Sequence, residues 1–335
     1  LYRFIYSLQN TLVRDLLYAH GFKQVNAASH DFNVMWTGGE LEDAIFSNLS
    51  GFQKINHFPK STELTRKDSL WKTMHSFEEE HQKNFNIVPE SYVLIEDYQK
   101  FCQAFKKLPG PWIVKPVASS QGRGIYLMDS LSQLKFEDNV IISRYISNPL
   151  LIEGYKFDFR LYVLVTSFDP LIIYLYEEGL TRFATEKYQQ SGTCVENKFV
   201  HLTNASLNKT STKYVVSDDP EVEDFGNKWT MGALLRYLRQ HGKDTTLLME
   251  QIEDLIIKTI ISAEGPIVEA CRSILPQKGN CFELFGFDVL IDENLKPWLL
   301  EINRSPALEC GSPLDKKIKD TLRFLSFSKI ELKIK

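Results

Sequence analysis

Cysteine is scarce and scattered in this chain, with five residues among 335, no Cys-x-x-Cys pair and no adjoining histidine cluster. Structural zinc sites need closely spaced ligands and small secreted domains need paired cysteines, so the pattern argues against both classes. A reducing cytoplasm is the expected compartment. Long apolar runs are also missing, because the most apolar stretch, residues 161–180, is interrupted by a turn at residues 167–170. We therefore expect no membrane span.

Excess positive charge is absent as well, since 39 Lys and Arg residues stand against 43 Asp and Glu residues and the net charge is -4. Nothing global attracts such a chain to a polyanion, so no nucleic-acid partner is expected. Hydrophobic residues make up 43% of the chain, which is enough for packed cores without disulfides. Because no start Met or leader opens the sequence, we expect a catalytic region excised from a longer chain. We also expect the protein to act as a monomer.

The length predicts two or three lobes that share a cleft instead of one continuous core. Turn-rich boundaries divide the chain into an N-terminal lobe at residues 1–65, a central lobe at 66–143 and a C-terminal lobe at 144–335. Hydrophobic spacing predicts helices at residues 7–20, 68–83, 97–107 and 246–264. It predicts strands at residues 33–36, 92–94, 112–114, 124–128, 140–142, 282–291 and 297–302, and two more within 157–176. The polar segment 197–224 is expected to be a surface loop.

A small-residue loop follows a predicted strand that ends in lysine. Lys115 closes the strand, and the loop returns to the next strand through Gln121, Gly122, Arg123, Gly124 and Ile125. A lysine holds a phosphate as a point charge, and glycines let backbone N–H groups approach phosphate oxygens closely. The spacing matches neither a P-loop nor a dinucleotide-binding loop. The arrangement suits a bound triphosphate, or else it is a plain hairpin turn beside a solvated lysine.

Three oxygen-bearing side chains lie on two adjacent predicted strands near the C-terminal end. Period-two alternation places Asp288 on one face of the first strand, and it places Glu301 and Asn303 together on one face of the second. The side chains expected on the opposite faces are Phe285, Phe287 and Val289 on the first strand and Trp298, Leu300 and Ile302 on the second. Because Mg²⁺ prefers oxygen ligands and commonly takes carboxylates together with phosphates, the three are candidate metal ligands. The alternative is a set of solvated groups on an exposed sheet face.

Alternating charge marks the strand that begins near residue 156. Lys156, Asp158 and Arg160 fall on one face, and the residues between them are aromatic. A salt-bridged sheet surface and a charged cleft wall both explain this pattern. The preceding segment has the apolar-to-polar transition of an inter-lobe linker, where backbone groups can meet an adenine edge, and it contains Arg144, Tyr145 and Ile146.

Two arginines are candidates for binding the transferred phosphate and the reacting carboxylate, because Arg offers bidentate recognition of oxyanions. They are Arg160 and Arg182, and a snorkelling surface position is an equally good interpretation of the second. The segment 201–209 combines hydroxyl, amide and ammonium groups, and its candidate ligand contacts are Thr203, Asn204 and Lys209. A turn-rich loop has a similar composition.

Taken in order, five of these segments resemble the tubulin-tyrosine-ligase-like family. They are residues 115–125, 156–163, 201–209, 285–288 and 300–306, and the resemblance covers about residues 55–325. It implies an α/β (α+β) ATP-grasp fold, with the nucleotide held between two β-sheets beside a small N-terminal α/β lobe. The sequence departs from the usual family pattern at Ala205 and at Arg304.

The resemblance also implies a reaction, in which ATP phosphorylates a peptide carboxylate and the amine of an amino acid attacks the acyl phosphate. The residues it assigns to the ATP site are Lys115, Lys156 and Asp158. Those it assigns to Mg²⁺ are Asp288, Glu301 and Asn303. Arg160 and Arg182 would orient the phosphate and the carboxylate.

Residues 148–152, 177–183 and 218–229 are most similar to the polyglutamylase branch of that family. This implies free L-glutamate as donor, and tubulin C-terminal tails or microtubules as acceptor, in the cytoplasm and cytoskeleton. By family analogy the cilium, basal body or centriole are further expected locations. The competing interpretations are a glycine or tyrosine ligase of the same family, a ligase of free metabolites, and a catalytically silent microtubule-binding module.

Overall fold

The computed structural model describes residues 1–5, 11–83, 85–94, 96–119, 121–135, 139–189, 197–308 and 310–319. Parts of several sequence predictions fall outside these ranges, and each predicted lobe has some residues outside them. Among them are residues 7–10 of the first predicted helix, Ser120 of the small-residue loop, and residues 320–335 of the predicted C-terminal lobe.

The described strands form three sheets, so the chain has a mixed α/β architecture. The first sheet is parallel and contains, in order, β1 (Tyr2–Ile5), β2 (Val34–Thr37) and β3 (Lys54–Ile55). The second is antiparallel and contains β4 (Ser91–Val93), β5 (Trp112–Pro116), β6 (Tyr126–Met128) and β7 (Val140–Arg144), in the order β4–β7–β5–β6. The third contains β8 (Leu151–Ile152), β9 (Tyr155–Phe168), β10 (Leu171–Lys187), β11 (Asp224–Phe225), β12 (Lys228–Thr230), β13 (Glu283–Ile291) and β14 (Pro297–Asn303). Its order is β11–β12–β10–β9–β13–β14, with β8 beside β9.

Helices connect and cover these sheets. Those of the first half are α1 (Thr11–Ala19), α2 (Asp43–Ser47), α3 (Thr62–Thr65), α4 (Lys67–Glu80) and α5 (Tyr98–Lys107). Those of the second half are α6 (Lys198–His201), α7 (Ala205–Asn208), α8 (Met231–Gln240), α9 (Thr245–Ser262) and α10 (Glu264–Ile274), followed by a helical segment at residues 313–319. No helix within the described ranges is both long and apolar enough to cross a bilayer.

Alternation along β9 decides what each face of the large sheet carries. Its core-facing side chains are Phe157, Phe159, Leu161, Val163 and Val165, all fully buried. Helix α9 covers this face with a stripe of buried side chains, Leu248, Ile252, Leu255, Ile256 and Ile260. The predicted amphipathic helix over the larger sheet is therefore confirmed, and the charged residues of β9 are left on the opposite face.

The cores do not follow the three predicted lobes one by one. The main core also contains Met35 of β2 and Met74 of α4, so the N-terminal and central segments pack directly on the large sheet. The second sheet and α5 share a separate core around Phe101 and Trp112. The domain boundaries themselves stay a prediction.

Strand β14 departs from the predicted alternation through a β-bulge. Asp288 pairs with Glu301 but Val289 pairs with Leu299, which leaves Leu300 as an extra residue. Leu299 is consequently buried in the main core and Leu300 is not. Leu300 was predicted to lie with Trp298 and Ile302 on the face opposite Glu301, and for Leu300 this is wrong, because a bulge places two consecutive side chains, Leu300 and Glu301, on the cleft side of the strand.

The segment 197–224 is not wholly a surface loop as predicted. Its first part contains α6 and α7 and buries His201 and Asn208. Asn208 makes this burial possible because its Nδ2 donates to the carbonyls of Leu202 and Asn204, at 2.8 and 3.1 Å. Its Oδ1 accepts the N–H of Thr185 on β10 at 3.0 Å. A polar composition therefore coexists with a packed turn whose polar groups are hydrogen-bonded internally.

Candidate active site

A cleft separates the second sheet from the charged face of the seven-stranded sheet. The lining residues from the second sheet and the loops around it are Pro89, Ile113, Lys115, Ile125, Ser143, Arg144, Tyr145 and Ile146. Those from the large sheet and the turn after it are Lys156, Asp158, Arg182, His201, Leu202, Thr203, Asn204, Asp288, Leu290, Leu300 and Glu301. One part of this lining is apolar and the other is charged, as expected for a ligand with a flat base and an anionic tail.

Two lysines face each other from the two sheets. Burial lowers the pKa of Lys156 to about 7, and Asp158 only partly offsets the effect. Burial likewise lowers the pKa of Lys115 to about 8, with Glu301 opposing the shift and Lys67 adding to it. Since each ammonium group would be better stabilised by a nearby anion, the pair fits a polyphosphate.

Lys156 is held in place by an aromatic pair. Its Nζ donates to Tyr145 Oη at 3.0 Å and to the carbonyl of His201 at 2.9 Å. Tyr145 Oη lies 2.9 Å from His201 Nδ1, and the two rings meet edge to face. The linker and the turn at residue 201 thus fix one ammonium group from two sides.

Two arginines and two aspartates form a buried network at the floor of the cleft. Arg160 donates from Nε and Nη2 to both oxygens of Asp288, at 2.5 and 2.9 Å. Arg182 does the same to Asp158, at 2.9 and 2.5 Å, and its Nη2 also lies 2.9 Å from Asp288 Oδ2. Arg182 is 6% exposed, so the surface interpretation of this residue is wrong. Burial alone would raise the pKa of Asp288, but the two guanidinium groups outweigh it and hold that pKa well below its usual range.

The three predicted metal ligands are adjacent on paired strands. Asp288 is directly opposite Glu301, and Gly286 is directly opposite Asn303. Asn303 Nδ2 donates to the carbonyl of Gly286 at 3.2 Å, which leaves its amide oxygen for a cation. Glu301 Oε2 has Lys67 Nζ at 3.4 Å. The donors are all oxygens, so the set fits Mg²⁺ once phosphate oxygens and water complete the shell.

The predicted metal ligands include an amide as well as two carboxylates. Within the ranges that the structure describes, no three His, Cys, Asp and Glu side chains converge on a common point. The third member of the predicted set is the side-chain oxygen of Asn303.

The small-residue loop packs against the turn at residue 204. Gly122 and Gly124 have φ of 75° and 73°, a region that L side chains rarely adopt. A Cβ on Gly122 would lie 3.3 Å from Asn204 Oδ1, and Ser206 Oγ donates to the carbonyl of Gln121 at 3.5 Å. The loop therefore lies at the edge of the cleft. Of its described residues Ile125 lines the cleft, whereas the predicted contacts Gln121, Gly122, Arg123 and Gly124 do not.

The structure brings together most of the predicted site residues. Those that line the cleft are Lys115, Ile125, Arg144, Tyr145, Ile146, Lys156, Asp158, Arg182, Thr203, Asn204, Asp288 and Glu301. Arg160 and Asn303 do not line the cleft themselves. Arg160 donates to the lining residue Asp288, and Asn303 donates to the carbonyl of Gly286. Lys209 does not line the cleft, because it follows α7 and its ammonium group lies beside Gly311.

Sequence reasoning missed several side chains of the cleft. Lys67 of α4 contacts Glu301 and also donates to the carbonyl of Ser119 at 2.9 Å. Leu290 and Leu300 contribute apolar wall, and the bulge at Leu300 has no signal in the alternation of β14. His201 was within a predicted segment, but its pairing with Tyr145 depends on tertiary contact.

Comparison with known proteins agrees with the geometry. The profile of the Tubulin-tyrosine ligase family matches residues 46–330. The chain is 58% identical over 312 residues to "Tubulin polyglutamylase TTLL5" of Mus musculus, and the match covers 93% of this chain and 24% of that protein. It is 42% identical over 325 residues to "Tubulin polyglutamylase ttll-5" of Caenorhabditis elegans, covering 93% and 44%.

A further relative is "Tubulin monoglutamylase TTLL4" of Mus musculus, which is 41% identical over 298 residues, covering 88% of this chain and 25% of that protein. The chain thus spans about a quarter of the length of the two mouse relatives and less than half of the nematode one. Since the family profile matches 46–330 of the 335 residues, the chain belongs to the tubulin-tyrosine ligase family.

Proposed function

We propose that this chain is the catalytic region of an ATP-dependent tubulin polyglutamylase with an ATP-grasp fold. The observation that carries the proposal is the cleft between two sheets, with two lysines of depressed pKa facing each other and oxygen donors beside them. The names of its relatives support glutamate as the donor and tubulin tails as the acceptor. Microtubules are then the expected place of action.

The charge of the cleft suits this reaction. The side chains described above comprise six cations, Lys67, Lys115, Arg144, Lys156, Arg160 and Arg182, and three carboxylates, Asp158, Asp288 and Glu301. A chain with a net charge of -4 therefore presents a locally positive surface. ATP and the acidic acceptor are both anionic, so the local field favours binding of both substrates.

In the proposed mechanism Lys115 and Lys156 bind the triphosphate. Asp288, Glu301 and Asn303 would hold Mg²⁺, which neutralises developing phosphate charge when it is bound. Arg160 and Arg182 orient the acceptor carboxylate, one of whose oxygens bonds to the γ-phosphorus as ADP leaves. The amine nitrogen of glutamate then bonds to the carbonyl carbon, phosphate leaves, and the amine loses a proton. The apolar wall excludes water from the acyl phosphate.

The test is mass spectrometry of tubulin incubated with the protein, ATP, Mg²⁺ and an equimolar mixture of glutamate, glycine and tyrosine. We expect addition of glutamate to tail carboxylates by the wild-type protein and none by the Glu301→Gln variant. Addition of glycine or tyrosine would replace the donor and keep the ligase. No addition of any amino acid would count against catalysis by this chain and favour the silent binding module.

A further inference from the structure

A second cavity, of about 250 Å³, lies between α10 and the turn that joins β9 to β10. Strand β9 carries Lys156 near its first residue and ends at Phe168, which lines this cavity. Among the described residues, the lining of the cavity and that of the ATP cleft have no member in common. A molecule bound here would therefore not occupy the proposed ATP site. We call this place the α10 cavity.

The wall of the α10 cavity is largely apolar. Phe58 and Phe168 pack edge to face, with ring centroids 4.8 Å apart, and Val268 and Leu275 line the cavity beside them. An apolar cavity of about 150 Å³ is large enough to hold benzene. The α10 cavity therefore has room for an aromatic ring with a short chain.

Two thiols, those of Cys271 and Cys281, complete this wall. Burial raises the pKa of Cys271 to about 12, and Glu283 adds to the shift. Burial also holds the pKa of Cys281 well above its usual range. Both thiols stay protonated at neutral pH, so they act as small hydrophobic groups and bring no negative charge.

Cations outnumber carboxylates at the rim of the α10 cavity. Arg272 Nη2 and Lys278 Nζ both donate to Asp169 Oδ2, at 2.9 and 3.0 Å. These two cations lower the pKa of Asp169, so its carboxylate stays ionised and neutralises one of them. A third cation, Lys54, donates to the carbonyl of Gly279, which also lines the cavity. The rim therefore has an excess of positive charge.

The surroundings of the rim leave this charge available. Among the residues that the structure describes, Asp169 is the one carboxylate that lines the cavity, and Glu264 and Glu269 line a neighbouring depression. Ser167 Oγ accepts the N–H of Asp169 at 3.2 Å, which leaves its own proton for a ligand oxygen. The Lys278 side chain is 75% exposed, so its ammonium group can bind a ligand without being withdrawn from the core. Hydroxyl and ammonium donors together suit an anionic group.

We propose that the α10 cavity binds a small apolar molecule that carries one carboxylate. The apolar body lies between Phe58, Phe168 and Val268, and the carboxylate binds Arg272 and Lys278. This second ligand site goes beyond the proposed function, because neither ATP nor glutamate combines an apolar body with a single carboxylate.

The experiment is calorimetric titration of phenylbutyrate into the protein saturated with Mg²⁺ and a non-hydrolysable ATP analogue, so that the cleft is filled. We expect phenylbutyrate to bind at one site. Phenylbutanol, which lacks the carboxylate, and butyrate, which lacks the ring, should each bind about tenfold more weakly. Equal binding of phenylbutanol would overturn the role of the cations, and no binding of phenylbutyrate by wild type would overturn the proposal.

Charge variants at an exposed position test the site without disturbing the core. Lys278→Gln leaves Arg272 neutralised by Asp169, so it should weaken phenylbutyrate binding by about three- to fivefold. Lys278→Arg keeps the charge and should bind like wild type. Lys243→Gln, an exposed lysine after α8 that does not line the cavity, is the matched control. Unchanged affinity in Lys278→Gln would overturn the binding of the carboxylate by this lysine.

A filling variant tests the apolar part of the site. Val268→Phe puts a ring into the cavity from α10 and should abolish phenylbutyrate binding, while thermal unfolding identifies folded protein and affinity for the ATP analogue stays unchanged. Wild-type affinity for phenylbutyrate in folded Val268→Phe would show that the molecule binds elsewhere. Binding that is seen only without the ATP analogue would place phenylbutyrate in the cleft and overturn the α10 cavity as its site.

Discussion

Strand β13 carries two buried carboxylates, Glu283 and Asp288, on opposite faces, and their partners differ in kind. Glu283 accepts the N–H of Phe58 at 2.9 Å and the hydroxyl of Ser61 at 3.1 Å, and its Oε1 lies 2.7 Å from His57 Nδ1. Asp288 instead accepts from two guanidinium groups, those of Arg160 and Arg182.

The difference separates a structural carboxylate from a functional one. The hydrogen-bond partners of Glu283 come from the segment between β3 and α3, and one guanidinium group, that of Arg304, lies farther away at 3.7 Å. The hydrogen bonds fasten the N-terminal part of the chain to the large sheet. The partners of Asp288 carry more positive charge than it can neutralise, and they line or adjoin the cleft. Burial of a carboxylate therefore says little about its role until the charge of its partners is counted.

The contrast between functional and structural carboxylates is tested most directly by neutralising a carboxylate that lines the cleft. Glu301→Gln removes charge from the candidate metal ligands with little change of shape, so we expect kcat to fall by about 10³-fold with an unchanged melting temperature. Glutamate incorporation into tubulin and thermal unfolding are measured on the same preparation. Glu293→Gln, an exposed carboxylate on the same hairpin, is the control. Wild-type turnover by Glu301→Gln would refute the metal assignment.

The structural side of the comparison is tested by Glu283→Ala. Three buried hydrogen-bonding groups lose their acceptor, so we expect the free energy of unfolding to fall by about 3–5 kcal/mol, while folded protein keeps its KM for ATP. Denaturant unfolding and steady-state kinetics supply the two measurements. Glu269→Ala, an exposed position on α10, should leave both values unchanged. Loss of ATP binding with an unchanged free energy of unfolding would show that Glu283 contributes to the function of the cleft and not to stability.

The pH dependence of ATP binding tests the role of one cation of the cleft, Lys156. Its pKa of about 7 means that the positive charge is present below that pH and is lost as pH rises through it. Phosphate binding requires the charged form, so KM for ATP should rise above pH 7 by up to about tenfold per pH unit. Lys156→Arg stays charged across this range and should give a flatter profile. Equal slopes in the two proteins would show that Lys156 does not bind the triphosphate.

The smallest expected effect concerns the loop at the edge of the cleft. A Cβ on Gly124 would lie 2.7 Å from Pro116 Cγ at a positive φ, so Gly124→Ala should strain the loop by about 1–2 kcal/mol and raise KM for ATP several-fold. Gly265→Ala places the same methyl group in open space on α10 and is the control. An unchanged KM in Gly124→Ala would show that the loop does not position the nucleotide.

Local patterns in the sequence predicted the elements that obey a simple period. The alternation of β9 correctly placed Lys156, Asp158 and Arg160 on one face, and the stripe of α9 correctly identified the cover of the core. Contacts between distant segments could not be read in this way. Three sets of contacts depend on tertiary packing. They are the hydrogen bonds of Glu283, the pairing of Tyr145 with His201, and the hydrogen bonds of Asn208. The bulge at Leu300 was missed because an extra residue leaves no mark in composition.

The β-bulge at Leu300 determines which sequence changes alter the cleft wall and which also displace a neighbouring proposed metal ligand. Leu300 and Glu301 are consecutive and both line the cleft, so a residue of the apolar wall and a proposed metal ligand share one peptide unit. Loss of the extra residue would restore regular pairing and turn one of the two side chains away from the cleft. A substitution at position 300 would therefore change the apolar wall alone, whereas deletion of a residue at this point would also displace a proposed metal ligand.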